Sequence, residues 1–308
     1  MDKNTIVPVT MGIKGFGRFV LRDLMGRIVQ DTGWIPNVIT NSGMAFIRDS
    51  TAYKAYCGLG TSNTTPAITD TDLTTPLPTR VSNASLLADA WSGTSYRYER
   101  KSWRFGSGVN TGAIREAAVF PGPTGDCFSH FLAVDAGLTP ITITKGVDNI
   151  LDVYYEVRNY PPTGDATGAI DITGVSYDYT LRACQVGNGT DWKGVDSREI
   201  LSGTIGTMVV YDGNIGATTG SPSGTSDQLS LGEGSASSVI GSGDYYNDVQ
   251  LQIGLDNGNF GGGLRSVKLV TGNCRWQCQY DATSGGAAIN KDLEKRLRLN
   301  FRLAWARL

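Results

Sequence analysis

The one histidine of the chain, His130, is the first residue to consider for chemistry. It lies within the apolar segment at residues 128–132, where a histidine is typically buried and hydrogen-bonded. Nucleophilic catalysis of the triad type needs a base within hydrogen-bond reach of a serine or cysteine. No Ser-His or Cys-His pair can be nominated in this sequence. We therefore predict a structural role for His130, no catalytic residue and no enzymatic activity.

A glycine pattern at residues 11–19 is the second candidate for chemistry. Gly12, Gly15 and Gly17 have a G-x-x-G-x-G spacing that is similar to the nucleotide-binding turn of glyceraldehyde-3-phosphate dehydrogenases. In that turn the glycines let the backbone approach a pyrophosphate. Here Val20 occupies the place of the next glycine, and no alternating βαβ pattern follows. The sequence therefore predicts turn glycines and no cofactor.

Two cysteines, Cys274 and Cys278, have a spacing that raises the question of a metal site. Zinc requires four ligands, usually from a second Cys or His pair, and no such pair exists. On a strand, residues four apart lie about 13 Å from each other, which is too far for one ion. The chain has 5 cysteines, an odd number without the spacing of a disulfide framework. We predict free buried thiols and no metal.

Carboxylates are frequent where the sequence predicts turns. Turn geometry alone favours aspartate at such positions. Asp70 and Asp72 lack the regular spacing and the terminal glutamate of an EF-hand, so we predict no calcium site. The turn carboxylates are Asp70, Asp72, Asp165, Asp171, Asp244 and Asp248.

The segment at residues 297–305 carries the clearest structural pattern. Large apolar residues alternate with polar ones, which predicts a long strand with one face buried. Its arginines belong to the polar face. A solvated face and contact with an acidic neighbouring subunit both remain open for them. These arginines are Arg296, Arg298, Arg302 and Arg307.

Short blocks recur in the same order in the two halves of the chain, which predicts a tandem duplication. Ile143 and Lys145 match Ile289 and Lys291, ahead of two similar long strands. The other matched blocks are residues 19–22 with 179–182 (followed by Trp34 and Trp192), 66–73 with 222–229, 112–115 with 262–265, 124–127 with 271–274, and 151–155 with 297–301.

These patterns predict an all-β fold of two tandem, related antiparallel β-sandwich domains with long loops and at most short helices. The predicted domains are residues 1–162 and 163–308. One short helix is expected at residues 44–53, capped by Asn41 or Ser42. Residues 61–78 and 212–243 are poor in apolar side chains, so we expect them to be long loops that become ordered on a partner.

The composition narrows the classes of partner. The formal net charge is -2, so nucleic acid is not favoured as the main partner. No apolar run is long enough to span a membrane, and Met1 to Asn4 lack signal-peptide features. Synthesis in the cytoplasm is therefore expected.

With these residues in view, the chain resembles structural proteins of tailed bacteriophages, of the neck, collar and tail-appendage kind. The similarity covers most of the first half and the last strand. Its motifs are Gly26-Arg27-Ile28-Val29 through Thr32-Gly33-Trp34, Asn37-Val38-Ile39-Thr40 and Gly43; Gly58-x-Gly60-Thr61 with Pro66, Asp70 and Leu73; Gly112-Ala113-Ile114-Arg115-Glu116 with Ile143-Thr144-Lys145; and Ile289-x-Lys291 through Phe301-Arg302-Leu303-x-Trp305-x-Arg307.

The resemblance implies a virion component that assembles as a symmetric homo-oligomer at the neck, collar or tail. Its partners would be other copies of itself and neighbouring virion proteins, without a membrane. The alternative is a receptor- or carbohydrate-binding module of a tail fibre or capsid decoration, which would bind a host surface glycan. The aromatic residues proposed for that alternative are Trp91, Tyr96, Trp103, Tyr245 and Tyr246. A glycan-cleaving enzyme would need two facing carboxylates, a pairing that sequence does not reveal.

Overall fold

The predicted all-β class is confirmed by a computed structural model of the chain. The structure describes residues 6–48, 54–82, 84–187, 207–229, 236–243, 245–270, 275–283 and 285–308. Within these ranges one helix is present, α1 at Asn41–Arg48. The helix begins earlier than expected because Thr40, and not Asn41 or Ser42, is its cap: the Thr40 hydroxyl accepts the Gly43 amide at 2.9 Å. The end of the expected helix, residues 49–53, lies outside the described part.

Twenty-one strands make up the rest of the regular structure in the described ranges. Those of the first half are β1 Ile6–Arg22, β2 Ile28–Asp31, β3 Ile35–Pro36, β4 Val38–Ile39, β5 Tyr56–Gly60, β6 Ser85–Ser92, β7 Tyr96–Phe105, β8 Gly112–Ile114, β9 Glu116–Phe120, β10 Ser129–Leu132, β11 Ile143–Lys145 and β12 Ile150–Tyr160. Those of the second half are β13 Ala166–Ile172, β14 Val175–Ala183, β15 Thr207–Tyr211, β16 Ser226–Leu229, β17 Ala236–Gly243, β18 Tyr246–Ile253, β19 Ser266–Val270, β20 Arg275–Ala282 and β21 Leu297–Arg307.

One large sheet runs through both halves in the order β17-β18-β21-β1-β12-β7-β6. Strand β1 lies at its centre and has two kinds of neighbour. Its first part pairs with β21 in parallel, Ile6 opposite Asn300, and its second part pairs with β12 antiparallel, Arg22 opposite Ile150. The hairpins β6–β7 and β17–β18 extend the sheet on the two sides.

A smaller sheet covers each half of the large one. The first has the order β4-β10-β9-β5 and the second the order β13-β14-β20-β19-β15-β16. The inward side chains form two separate apolar clusters, one centred on Trp103, Phe131 and Tyr155 and the other on Trp276 and Phe301. Each half is therefore a two-layered β-sandwich.

Strands β1 and β21 link the two apolar clusters. Val7, Val9 and Met11 of β1 pack in the second cluster, whereas Trp305 of β21 packs in the first. The indole of Trp305 also donates to the Met44 carbonyl of α1 at 3.0 Å. The division into domains at residues 162–163 stays a prediction. Strands β1 and β21 each contribute side chains to the cluster of the other half.

Several of the matched sequence blocks also occupy equivalent positions in the two halves of the structure. Ile143 of the first half is opposite Ile114, and the matching Ile289 is bridged to Leu264, the residue matched to Ile114. The lysines that follow, Lys145 and Lys291, are 1% and 3% exposed and donate to the carbonyls of residues 106 and 255. Burial lowers the pKa of both amines.

Another pair of matched sequence blocks lies in different sheets of the structure. Residues 19–22 lie in the large sheet, whereas residues 179–182 lie in the covering sheet of the second half. Residues 271–274 and Trp192 lie outside the described part. The duplication therefore remains a proposal, which the paired isoleucines and buried lysines support.

The prediction of turn glycines at residues 11–19 is wrong. Gly12, Gly15 and Gly17 lie inside β1, where they leave room for side chains that cross the strand. A Cβ on Gly17 would lie 2.3 Å from the Phe131 ring, and one on Gly12 would lie 2.2 Å from Leu308. These glycines serve close packing on both faces of the sheet.

The prediction of one long loop at residues 212–243 is also wrong. It contains β16 and β17, and β17 pairs with β18 along most of its length, as in Val239 opposite Val249. Serine and glycine dominate β17, so composition predicts a loop, but backbone pairing does not depend on apolar side chains. The remaining described loop is residues 212–225.

Candidate functional site

The outer side of the large sheet over the first half carries a dense group of charged and aromatic side chains. We call its five arginines, with the rings beside them, the arginine face. Strands β1, β12 and β7 supply them, because residues of one parity point inwards to Trp103 and Tyr155 and those of the other parity point outwards. The five are Arg18, Arg22, Arg100, Arg104 and Arg158.

Asp152 of β12 holds two of these arginines. Arg104, from the neighbouring strand β7, donates Nε to Oδ1 at 2.7 Å and Nη2 to Oδ2 at 2.9 Å. Arg22 approaches from β1, with Nε 3.0 Å from Oδ2. The carboxylate is 5% exposed and the Arg104 side chain 63% exposed. The negative charge is therefore buried beneath the positive one.

Glu156, four residues after Asp152 in β12, is likewise paired with two arginines. Arg100 donates Nη2 to Oε2 at 2.5 Å, and Arg158 donates Nε to Oε1 at 2.6 Å. The carboxylate is 2% exposed, and the Arg100 side chain 32%. Each buried carboxylate thus has two guanidinium partners, so each group has a net positive charge.

Aromatic rings lie close to three of the guanidinium groups. Arg158 lies 3.8 Å from the centroid of the Phe16 ring, and Arg100 lies 4.7 Å from that of Trp34. Arg18 lies over Tyr154 at 5.7 Å. Such stacking stabilises a cation while leaving the edge of the guanidinium free to donate hydrogen bonds. The arginine face is consequently ordered before any partner binds.

Asp152, Tyr154, Glu156 and Arg158 alternate with core residues along β12 and therefore share one face of the strand. Sequence reasoning missed their partners on β7. Alternation along a strand shows which side chains share a face, but the register that puts Arg104 opposite Asp152 is a property of two distant segments.

A second candidate is the cluster of Asp70, His130 and Glu116. The His130 ring is fully buried, with Nδ1 2.7 Å from Asp70 Oδ2 and Nε2 2.9 Å from Glu116 Oε2. Glu116, also fully buried, accepts the amides of Thr74 at 3.1 Å and Thr75 at 2.9 Å. The cluster therefore ties the loop at residues 61–78 to strands β9 and β10.

Electrostatics favours the charged forms of His130 and Glu116. Burial alone would lower the pKa of His130, but its hydrogen bonds to Glu116 and Asp70 outweigh burial and raise the pKa above the ordinary value. Burial likewise opposes the charge on Glu116, yet the bonds from His130 and from loop amides hold its pKa below the usual value. With the imidazole enclosed at 0% side-chain exposure, a substrate has no access. The cluster anchors a loop, which agrees with the predicted structural role of His130.

The aromatic residues proposed for glycan binding do not form one exposed group. Trp103 is 1% exposed and belongs to the first core, so its proposed exposure is wrong. Trp91 packs against the second cluster, and the Tyr245 hydroxyl donates to Asn41 at 2.9 Å. Tyr246 lies beneath Arg302, 3.9 Å from its guanidinium.

The arginines of the last strand and the turn carboxylates also have partners within the chain. Arg302 forms a bidentate pair with Asp248 at 2.7 and 2.8 Å. Arg307 donates to the Ile39 carbonyl at 2.7 Å. Asp165 pairs with Arg182. Asp244 lies outside the described residues.

A cavity of about 350 Å³ lies beside β1. Its walls include Ile13, Phe16 and Ile68, and its charged lining residues are Lys14 and Arg307. No acid or histidine is among its described lining residues, so it lacks a paired base and acid.

The described residues also bear on metals and membranes. They contain no group of three or more His, Cys, Asp or Glu side chains arranged for a metal ion. The cysteines at positions 57, 127, 184 and 278 are buried, as predicted, while Cys274 lies outside the described part. In that part no helix is long and apolar enough to cross a membrane.

The fold and these sites were compared with known proteins. No protein-family model matches the chain, and no match is found among curated proteins or among solved structures.

Proposed function

We propose that the protein is a non-enzymatic structural component of a tailed bacteriophage particle, assembling as a symmetric oligomer at the neck, collar or tail. The observation that carries the proposal is the arginine face. Its arginines are half-buried except for the exposed Arg104, and they are held by side-chain contacts within the chain. A surface that is ordered before binding loses little side-chain entropy on association, which suits a protein whose role is to hold neighbours in a fixed geometry.

The composition of the face supports an interface with protein. Arginine, tyrosine and tryptophan are enriched at protein interfaces and among the residues that dominate their binding energy, whereas lysine and exposed acids are depleted. Here guanidiniums lie outermost with aromatic rings against them, and the carboxylates of Asp152 and Glu156 are buried beneath the guanidiniums.

The loops contribute differently from what the sequence suggests. Residues 61–78 and 212–225 have hydrogen bonds to their own half of the chain, for example Thr75 to Glu116 and Gly216 to Gln277 at 2.8 Å. In these described segments a partner is not needed to satisfy those backbone groups. We propose that they act as rigid edges of the assembly.

The experiment is to locate the chain in particles. Particles released by a bacterial culture that carries the gene are purified, and peptides of this chain are quantified by mass spectrometry against a known capsid protein. Antibody labelling then gives its position by electron microscopy. We expect a fixed number of several copies per particle at one site. Recovery of the chain only outside particles, or as a monomer in native mass spectrometry, would overturn the proposal.

A further inference from the structure

We propose that the arginine face docks on a carboxylate-rich surface of a neighbouring protein. This inference rests on the proposed function, because it names the chemistry of the partner in that assembly. The first step is charge. Five guanidiniums on the face meet three carboxylates, Asp31, Asp152 and Glu156. The excess is positive although the whole chain has a net charge of -2.

The second step is the direction of the free donors. Arg104 uses Nε and Nη2 on Asp152, which leaves its Nη1 hydrogens and one on Nη2 without a role in that pair. Its side chain is the most exposed of the five, at 63%. Arg100 likewise uses Nε and Nη2 on Glu156. These edges are planar donors held at fixed angles, an arrangement that suits carboxylate oxygens.

The third step separates an acidic protein from a glycan or a single-stranded nucleic acid. Sugars and bases bind aromatic residues by stacking on open ring faces. Here guanidiniums cover the rings of Phe16 and Trp34, and Tyr96 packs against Tyr160 with centroids 5.2 Å apart. The rings orient arginines and do not form a stacking platform.

The test measures binding of the full chain to a poly-L-glutamate peptide, with oligothymidylate of equal charge as the comparison. The variant is the double change Arg100→Gln with Arg104→Gln. Arg22 and Arg158 remain on the two carboxylates, so neither acid loses all its partners. The matched control is Arg182→Gln with Arg265→Gln, which removes the same charge from the second half. Thermal unfolding is recorded for all three proteins.

We expect poly-L-glutamate to bind more tightly than oligothymidylate, and the double variant to weaken its binding about tenfold, as expected for losing charged hydrogen bonds. The control should change binding by about twofold or less. Equal binding by variant and control, no binding of poly-L-glutamate, or tighter binding of oligothymidylate would overturn the inference. The binding test does not depend on where the chain lies in a particle. It can therefore fail although the chain is found in particles, and it can succeed although the chain is absent from them.

Discussion

The loops at residues 61–78 and 212–225 are both held by one buried side chain of a neighbouring strand, but the two anchors differ in charge. In the first, the carboxylate of Glu116 accepts loop amides and is paired with His130. In the second, the carboxamide of Gln277 accepts the Gly216 amide at 2.8 Å and donates to the carbonyls of residues 216 and 217 at 3.0 Å. Both anchors are fully buried.

The difference in charge between Glu116 and Gln277 affects both the stability of the loops and their pH dependence. A buried charge must be compensated by a partner of opposite charge, and its removal leaves that partner uncompensated. A buried amide needs only hydrogen bonds and does not titrate. The first loop is therefore expected to depend on pH and to be sensitive to substitution, and the second to be independent of pH.

The largest expected effect is from Glu116→Gln. This change removes the charge that balances His130 and places amide hydrogens against the loop amides. We expect a loss of about 3 kcal/mol in the free energy of unfolding, measured by chemical denaturation. Glu294→Gln, on an exposed residue, is the control and should change stability by about 0.5 kcal/mol or less. A similar small effect at both positions would refute the charged anchor.

A smaller effect is expected from Gln277→Ala. The change leaves the Gly216 amide and two loop carbonyls without their partner, at about 2 kcal/mol in total. Hydrogen exchange should show faster exchange within residues 212–225 and unchanged exchange within residues 61–78. If the cost equals that of Glu116→Gln, charge is not what distinguishes the two anchors.

The smallest effect is a pH dependence of the first loop alone. The folded-state pKa of His130 is raised, so its stabilising contribution is complete below the unfolded value of about 6.5 and is lost as pH rises through the raised pKa. The folded-state pKa of Glu116 is lowered. Its contribution is present above the unfolded value and is lost as pH falls through the lowered pKa.

Hydrogen exchange corrected for the intrinsic rate can detect this dependence. Protection of residues 61–78 should fall as pH rises from the unfolded value of about 6.5 through the raised pKa of His130, whereas that of residues 212–225 should not. The variant His130→Gln should remove this change in the protection of residues 61–78 with pH. Equal loss of protection in both loops would show that the pH dependence lies elsewhere.

Period-two patterns allowed the prediction of the strands, but not of their pairing. The alternation at residues 297–305 predicts a half-buried strand, and β21 extends over it with Phe301 in the core. By contrast β17 was missed, because its serines and glycines carry no alternation of apolar side chains. Its position depends on the neighbouring strand β18, and a local pattern does not contain that information.

The candidate site was predictable only in part, for a similar reason. The apolar segment around His130 correctly indicated a buried, hydrogen-bonded histidine. Its partners Asp70 and Glu116 come from a loop and another strand, so their meeting depends on the tertiary fold. Likewise, the outward position of Glu156 follows from its strand, whereas its burial depends on Arg100 of the neighbouring strand β7 as well as on Arg158 of its own strand.

Strand β1 has a consequence for how the chain folds during synthesis. Residues 6–13 pair with residues 300–307 of β21, so β1 leaves the ribosome long before its partner strand. Contacts between such distant segments slow folding, because a very long loop must be closed before they form. The second sandwich is completed only after β21 has been synthesised. We expect a nascent chain stalled before β21 to expose Val7 and Val9, and a chaperone that binds apolar strands to act at this stage.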